Sequence, residues 1–185
     1  MPSLDTDTAR TRLLDAAEEL FYARGIQSVG MDEIRTAAGL PLKRVYALYP
    51  AKENLVEAYL QRRDARWRER LAAAVEEVAD PRERILAVFD WLGSWFREPG
   101  FRGCAWINGF GELGAVSEAV ARQARAHKQA FADYVADLVA AAGLPAALAP
   151  QLVLLAEGAM VTAGIFGTDA PAAQARDAAA ALIDA

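Results

Sequence analysis

The segment from Met31 to Tyr49 constrains the fold of this chain more than any other part of the sequence. Apolar residues at three- and four-residue spacing predict a short helix over residues 31–38, which Gly39 breaks. A second short helix is predicted from about Pro41, a residue suited to a first helical turn, and it ends before Pro50. Two short helices joined by a tight turn and preceded by a longer helix form a helix-turn-helix pattern. The pattern predicts a small three-helix domain.

The rest of the chain shows helical periodicity as well. An amphipathic helix is predicted over residues 8–24, and a long one begins at Lys52 and meets no Pro or Gly until Pro81. Alanine, the strongest helix former, fills 42 positions, and we find no useful stretch of strand-like alternation. Further helices are predicted over about 82–97, 104–113, 117–142, 146–166 and 172–184, with Ser117 as an N-cap.

These elements predict an all-α fold in two parts. We expect an N-terminal helix-turn-helix domain over residues 1–50 and a larger helical domain over residues 51–185, with a connector helix from residue 52. A length of 185 residues and 54% hydrophobic composition are enough for a sizeable core.

Several kinds of chemistry are excluded by residue counts. Cys104 is the only cysteine and His127 the only histidine, so no intrachain disulfide or Cys/His zinc site is possible. No G-x-S-x-G motif is present, and His127 has no obvious nucleophilic partner. We therefore expect neither a catalytic residue nor a metal or cofactor, and a protein that is not an enzyme.

The chain is expected to be cytoplasmic. Its N-terminus, MPSLDTDTAR, is polar and acidic, unlike a signal peptide, and a single cysteine suits a reducing compartment. The longest apolar stretch, Leu152 to Phe166, is interrupted by Glu157 and Gly158 and is expected to be too short to span a bilayer.

The charge distribution points to a local surface for nucleic acid. The net charge is −5, but residues 1–63 carry nine basic and nine acidic side chains, and residues 41–52 carry three basic side chains and no acid. The second short helix offers an outer face consisting of Leu42, Lys43, Arg44, Tyr46 and Ala47. In a helix-turn-helix this helix enters the major groove, where Lys and Arg donate to guanine edges or phosphates. The alternative is a solvated basic face between two packed helices.

The segment TRLLDAAEELFYARGIQSVGMDEIRTAAGLPLKRVYALYPAKENLVEAYL, residues 11–60, resembles the TetR family of bacterial transcriptional regulators. The resemblance implies that Tyr46 and Lys52 touch DNA phosphates and that the first residues of the helix near Pro41 read bases. The predicted DNA-binding set is Leu42, Lys43, Arg44, Tyr46, Ala47, Tyr49 and Lys52. Val29 and Gly30 stand where the family often has a hydroxyl N-cap, and the base-reading positions differ too, so the operator sequence does not carry over.

The second half resembles the regulatory half of one TetR subgroup through GCAWINGFGELG, residues 103–114, and ARAHKQAF, residues 124–131. The resemblance implies an effector-binding domain and a homodimer formed by the last two long helices, about 146–184. Small residues there, including Gly158 and Gly164, permit close helix approach. An ordinary intrachain core is the alternative. A two-fold dimer places two recognition helices about 34–36 Å apart on a palindromic operator.

A pocket for a small, mostly apolar effector is predicted from aromatic residues with a few polar ones among them. The predicted set is Phe89, Trp91, Trp95, Phe96, Trp106, Asn108, Phe110, Glu112, His127, Met160 and Phe166. The alternative is plain helix packing. Cys104 is a candidate oxidant sensor, but Arg102 is the only clear cation near it in sequence.

Residues 109–114 fit G-x-G-x-x-G, a pattern typical of dinucleotide sites. Such a site needs a preceding strand, and the only candidate is Cys104–Ile107, with no further strands to form a sheet.

The leading hypothesis for the whole chain is a ligand-responsive repressor that the effector releases from its operator. The alternatives are a helical nucleotide-binding protein or enzyme using residues 109–114, and an adaptor whose helix-turn-helix contacts protein.

Overall fold

The computed structural model describes residues 5–185. The N-terminal segment that is expected not to be a signal peptide begins with four residues outside the described part. Within that part the chain forms nine helices and no strand, which confirms the predicted all-α fold. The helices are α1 (Thr6–Arg24), α2 (Met31–Ala38), α3 (Leu42–Leu48), α4 (Lys52–Glu76), α5 (Pro81–Phe96), α6 (Ala105–Leu113), α7 (Glu118–Ala141), α8 (Leu148–Phe166) and α9 (Ala170–Asp184).

The predicted helix ends are close to the observed ones, and α4 ends slightly earlier than predicted. It ends at Glu76 and spans 25 residues, two residues short of the predicted end at Val78. The reason is the start of α5, where the Asp80 carboxylate accepts hydrogen bonds from the backbone N–H groups of Arg82 and Glu83 at 2.9 and 3.0 Å. The residue before a proline also avoids helical backbone angles, so α4 cannot run through Asp80.

Two glycines end helices where a positive φ is required. Gly25 ends α1 with φ 88°, and Gly39 ends α2 with φ 65°, both outside the region that side-chain-bearing residues favour. Pro41 is the N-cap of α3 rather than a residue of its first turn, a shift of one position from the prediction. The predicted cap at Ser117 is confirmed, because its hydroxyl accepts the Val120 N–H at 3.3 Å.

The apolar stretch expected to be too short for a bilayer is part of a longer helix in the structure. Helix α8 begins at Leu148 and spans 19 residues, long and apolar enough by length and composition to cross a membrane, so that expectation is wrong. Core helices of soluble proteins have the same length and composition, and α8 packs against α5 and α9.

The chain divides into two compact units. Unit 1 consists of residues up to 63 with 105–124, and unit 2 consists of 64–104 with 125–185. The division falls within α4 and within α7. The predicted boundary at residues 50 and 51 concerns function rather than compactness and stays a prediction.

Unit 1 is built on α1, α2 and α3. Helix α1 packs against α2, and α2 against α3, around fully buried apolar side chains such as Leu13, Ile34 and Val45. Ion pairs from Arg62 and Arg63 to Glu18 at 2.9 Å connect the middle of α4 to α1. These contacts fix the position of α3 within unit 1.

Unit 2 is built on α5, α8 and α9 together with the later parts of α4 and α7. Helix α9 packs against both α5 and α8. Leu92 of α5 and Ala163 of α8 are fully buried in this unit. Small side chains let the backbone come close at Gly164, where an added Cβ would lie 3.0 Å from the Gly103 Cα.

Candidate functional site

Helix α3 presents the exposed face that the sequence predicted. Val45 is fully buried, whereas Leu42 and Tyr46 each keep 45% of their surface exposed, and Lys43 and Ala47 are exposed too. A helix with one buried anchor and a polar, partly basic outer face has the form of a recognition helix.

Two members of the predicted DNA-binding set do not point freely outward. Tyr49 is only 6% exposed, and its hydroxyl accepts a hydrogen bond from the Arg10 guanidinium at 3.4 Å. Tyr49 therefore belongs to the packing under α3 and not to its exposed face, and its predicted contact with DNA stays a prediction. Arg44 is half-buried and donates to the Thr6 hydroxyl at 2.8 Å.

Lys52, expected to touch a phosphate, is engaged inside unit 1. Its Nζ donates to the Ile26 carbonyl at 2.6 Å and lies 5.8 Å from the centre of the Phe21 ring. Burial lowers the pKa of Lys52, and the charge of Glu112 partly opposes that shift. A phosphate contact from this side chain requires it to leave or share the Ile26 bond.

The predicted effector set is divided between the two units. Trp106, Asn108, Phe110 and Glu112 lie in unit 1 on α6, and the other seven lie in unit 2. Within unit 1, Trp106 is buried, whereas Phe110 is half exposed. The Glu112 carboxylate accepts the Gln27 N–H at 2.9 Å, so it is committed to the turn between α1 and α2.

In unit 2, three predicted residues surround a tryptophan that sequence reasoning missed. Trp91, Trp95 and His127 have ring centres 5.1 to 5.8 Å from that of Trp67, in edge-to-face arrangement. Phe131 completes the group at 5.6 Å. We call these five rings the Trp67 cluster.

The signal for Trp67 and Phe131 was present in the sequence but weak. Trp67, Leu71 and Val75 recur at four-residue spacing on α4 and are all buried. Trp67 sits in the charged run DARWRER, which reads as a solvated stretch unless that spacing is traced across it.

A cavity of about 370 Å³ lies between α4 and α7 within unit 2. Its walls combine aromatic and aliphatic side chains, with a charged edge: Ala65, Trp67, Arg68, Glu69, Leu71, Ala72, Ala130, Phe131 and Tyr134. None of the eleven predicted effector residues is among them. Trp67 connects the two sets, because it lines the cavity and packs against Trp91, Trp95 and His127.

The remaining predicted effector residues of unit 2 are scattered. Phe89 packs with Val88 and Leu152 around a void of only about 10 Å³, and Met160 is fully buried. Phe96 stacks against Phe101 with ring centres 4.9 Å apart, whereas Phe166 is exposed at the end of α8. Their predicted ligand contacts stay predictions.

His127 pairs with a carboxylate rather than facing open space. Its Nδ1 lies 2.6 Å from an Asp64 oxygen, and the His127 ring is buried. Burial by itself would raise the pKa of Asp64, but the hydrogen bond from His127 and the charges of His127 and Arg68 together lower it.

The structure adds a cation beside Cys104 that local sequence did not reveal. Lys128 on α7 places its Nζ 3.3 Å from the Cys104 sulfur and 2.6 Å from a Glu157 oxygen. Cys104 is 3% exposed. The oxidant-sensing role stays a prediction.

Residues 109–114 do not follow a strand. Residues 105–107 of the candidate strand are instead the first turn of α6, and Gly109 packs close to Ile26 in unit 1. A phosphate-binding turn requires a strand before the glycines, so this geometry does not support the dinucleotide interpretation.

Helix α8 carries an exposed apolar stripe. Leu154 and Ile165 keep 73% and 72% of their surface exposed, and Gly158 and Val161 lie between them at three- and four-residue spacing. Large contiguous apolar patches on protein surfaces are typical of interaction sites, which makes this stripe a candidate for one.

Comparison with known proteins agrees with these observations. The sequence model described as bacterial regulatory proteins, tetR family, matches residues 13–59. An uncharacterised HTH-type transcriptional regulator of Mycobacterium tuberculosis is 38% identical over 81 residues, and the HTH-type transcriptional activator FasR of Mycolicibacterium smegmatis is 34% identical over 87 residues. The matches cover 44% and 47% of this chain and 40% of each of those proteins.

A solved structure matches over nearly the whole length. The crystal structure of a TetR-family transcriptional regulator from Streptomyces coelicolor superposes with a TM-score of 0.88 at 32% sequence identity. The match covers 96% of this chain and 95% of that one. Together with the helix-turn-helix and the nine-helix order of the described residues, this shows that the chain belongs to the TetR family of transcriptional regulators.

Proposed function

We propose that this protein is a DNA-binding transcriptional regulator and that α3 enters the major groove. The observation that carries the proposal is the exposed face of α3 above the buried Val45, inside the segment that matches the family. Lys43 is exposed at the start of α3, and Tyr46 is exposed one turn further along. The first suits a base edge or phosphate and the second a phosphate.

The charge of the chain is compatible with this function. The net charge of −5 opposes DNA in general, but residues 41–52 contain no acidic side chain. Binding is therefore expected to depend on local contacts and to weaken as salt rises.

The protein works as a homodimer in this proposal. The stripe on α8 supplies an apolar surface within the predicted dimer region of about 146–184, with Gly158 at its centre. A two-fold axis then places two copies of α3 on successive major grooves, about 34–36 Å apart, and the operator is palindromic.

The effector is a small, mostly apolar molecule bound in unit 2. The cavity between α4 and α7 has about 370 Å³, a volume that suits a compact ligand, and Trp67 and Phe131 form part of its wall. Arg68, Glu69 and Tyr134 supply polar groups that can orient the ligand.

Repression with release on effector binding is the mode we propose. The effector shifts the protein between two states only through its different affinity for them, and a hundredfold shift corresponds to about 2.7 kcal/mol. One relative is named as an activator, so the direction of the response is itself an experimental question. Such a regulator acts on the chromosome, and we place it in the cytoplasm.

Selection of genomic DNA fragments by the purified protein tests the DNA function. We expect retention of fragments that share one palindromic site at moderate salt, with affinity falling steeply as salt rises. Recovery of no preferred fragment, with and without candidate ligands, would contradict the proposal and favour a protein-contacting helix-turn-helix.

A pair of substitutions on α4 tests the effector site. Ala72 lines the cavity and Ala73, next to it, is exposed and does not. We expect Ala72→Trp to fill the cavity and abolish the ligand-induced change in tryptophan fluorescence and in DNA affinity. Ala73→Trp should leave both intact. Equal behaviour of the two variants would place the effector elsewhere.

A further inference from the structure

The turn between α1 and α2 is held from two sides by side chains of unit 1. Residues 25–27 connect the end of α1 to the segment that starts α2. Glu112 of α6 contacts this turn through its carboxylate, and Lys52 of α4 contacts it through its ammonium. The helix-turn-helix is therefore anchored at its base by residues distant in sequence.

The contact between α6 and the turn is reciprocal. The Glu112 carboxylate accepts the Gln27 backbone N–H at 2.9 Å, and the Gln27 side-chain amide donates to the Glu112 carbonyl. Glu112 lies in the last turn of α6, where backbone carbonyls have no partner within the helix. Each segment thus satisfies a polar backbone group of the other.

The fit around this contact is close. A Cβ added to Gly25 would lie 3.1 Å from both Glu112 carboxylate oxygens, and Gly25 has φ 88°. A Cβ on Gly109, one turn before Glu112, would lie 3.3 Å from the Ile26 side chain. Two glycines, one on each side, allow α6 and the turn to approach.

Lys52 reinforces the same turn. Its Nζ donates to the Ile26 carbonyl at 2.6 Å, and the negative charge of Glu112 favours the charged form of this amine. The Ile26 carbonyl and the Gln27 N–H belong to a single peptide group, which is therefore bound at its two ends by side chains of opposite charge. The turn is fixed four residues before α2 begins at Met31.

We propose that Glu112 is a positioning residue for operator binding: it holds the α1–α2 turn, and through it α2 and α3, in the orientation that binds DNA. The sequence pattern grouped Glu112 with the polar effector contacts, whereas its observed hydrogen bonds are made to the turn. The proposal rests on the proposed function, since it assumes that α3 binds an operator.

Two substitutions with the same charge change isolate the hydrogen bond. Glu112→Ala and Glu112→Gln both remove one negative charge, but only glutamine keeps an acceptor for the Gln27 N–H. We expect the alanine variant to bind the operator about tenfold more weakly, because the competent orientation falls to about one tenth of the population. We expect the glutamine variant to bind close to wild type.

Simple electrostatics predicts the opposite sign. Loss of a negative charge from a DNA-binding unit should strengthen DNA binding. Glu19→Gln provides the control, because Glu19 is an exposed acid on α1 of the same unit. We expect this variant to bind as well as wild type or slightly better.

Amide hydrogen exchange gives a second readout, independent of DNA. In Glu112→Ala the Gln27 amide should exchange faster while the melting temperature stays near that of wild type. In Glu112→Gln the exchange at Gln27 should remain slow. Gln27→Ala, which removes only the side-chain donor, should weaken operator binding by a smaller factor and serves if Glu112→Ala folds poorly.

The outcomes separate the two proposals. If wild type retains no DNA fragment, the proposed function fails and this inference fails with it. If wild type binds its operator and Glu112→Ala binds equally well, with unchanged exchange at Gln27, only the positioning role is overturned.

Discussion

The apolar stripe on α8 predicts a large effect of single substitutions on dimer formation. Leu154 and Ile165 are about three-quarters exposed in the protomer. Full burial of such a side chain is worth about 1.5–3 kcal/mol, so burial by a partner can still add about 1–2 kcal/mol. A two-fold interface contains each residue twice, which gives about 2–4 kcal/mol per substituted position.

Leu154→Ala should therefore raise the dimer dissociation constant by about 30-fold to several hundredfold. Sedimentation equilibrium over a range of protein concentrations measures this constant directly. Ile165→Ala should act in the same direction and by a similar factor.

Val116→Ala is the matched control for this experiment. Val116 is also exposed, but it lies in the turn between α6 and α7 in unit 1. We expect this variant to dimerise as wild type does. A wild-type protein that stays monomeric at micromolar concentration, or a Leu154→Ala variant with an unchanged constant, would refute the assignment of the stripe.

Three further predictions concern stability and reactivity. The fold lowers the pKa of Asp64, so the ionised Asp64 side chain stabilises the folded protein. This stabilisation is fully present above the pKa of about 3.9 that Asp64 has in the unfolded chain, and it is lost as pH falls through the lower pKa of the folded protein. Thermal unfolding should thus show a lower melting temperature for Asp64→Asn at neutral pH and a weaker pH dependence below about pH 4; equal curves would count against the pair. Cys104 should react with iodoacetamide slowly in the native protein and quickly in denaturant, measured by mass spectrometry, and fast native reaction would contradict its burial. Gly25→Ala should destabilise the fold by about 1–2 kcal/mol or more, because φ is positive and a Cβ would crowd Glu112. Gly111→Ala, in the last turn of α6 with open space around its Cβ, should be neutral or stabilising in denaturant titrations.

Local sequence signals were sufficient for most of the helix boundaries. Gly25 and Gly39 end their helices because the positive φ there suits glycine, and Asp80 with Pro81 starts α5 by capping. These effects depend on neighbouring residues alone. The exposed face of α3 also followed from local periodicity, with Val45 inward and Tyr46 outward.

Contacts between distant segments were not available from the pattern. Glu112 was grouped with effector residues, yet its partner Gln27 is 85 positions away. The same holds for Lys128 beside Cys104, which comes from a different helix. Tertiary packing decides these cases, and periodicity does not describe it.

Affinity measurements on single-base variants of the recovered site test whether the exposed face of α3 reads an operator. We predict that Tyr46→Phe weakens binding to all these sequences by a similar factor, because a phosphate contact carries no base information. Arg44 must exchange its bond to the Thr6 hydroxyl for a base contact, and Arg44→Ala should then reduce the preference at particular base pairs. If both variants bind every sequence as wild type does, α3 does not form the DNA interface and the proposed role of this helix is wrong.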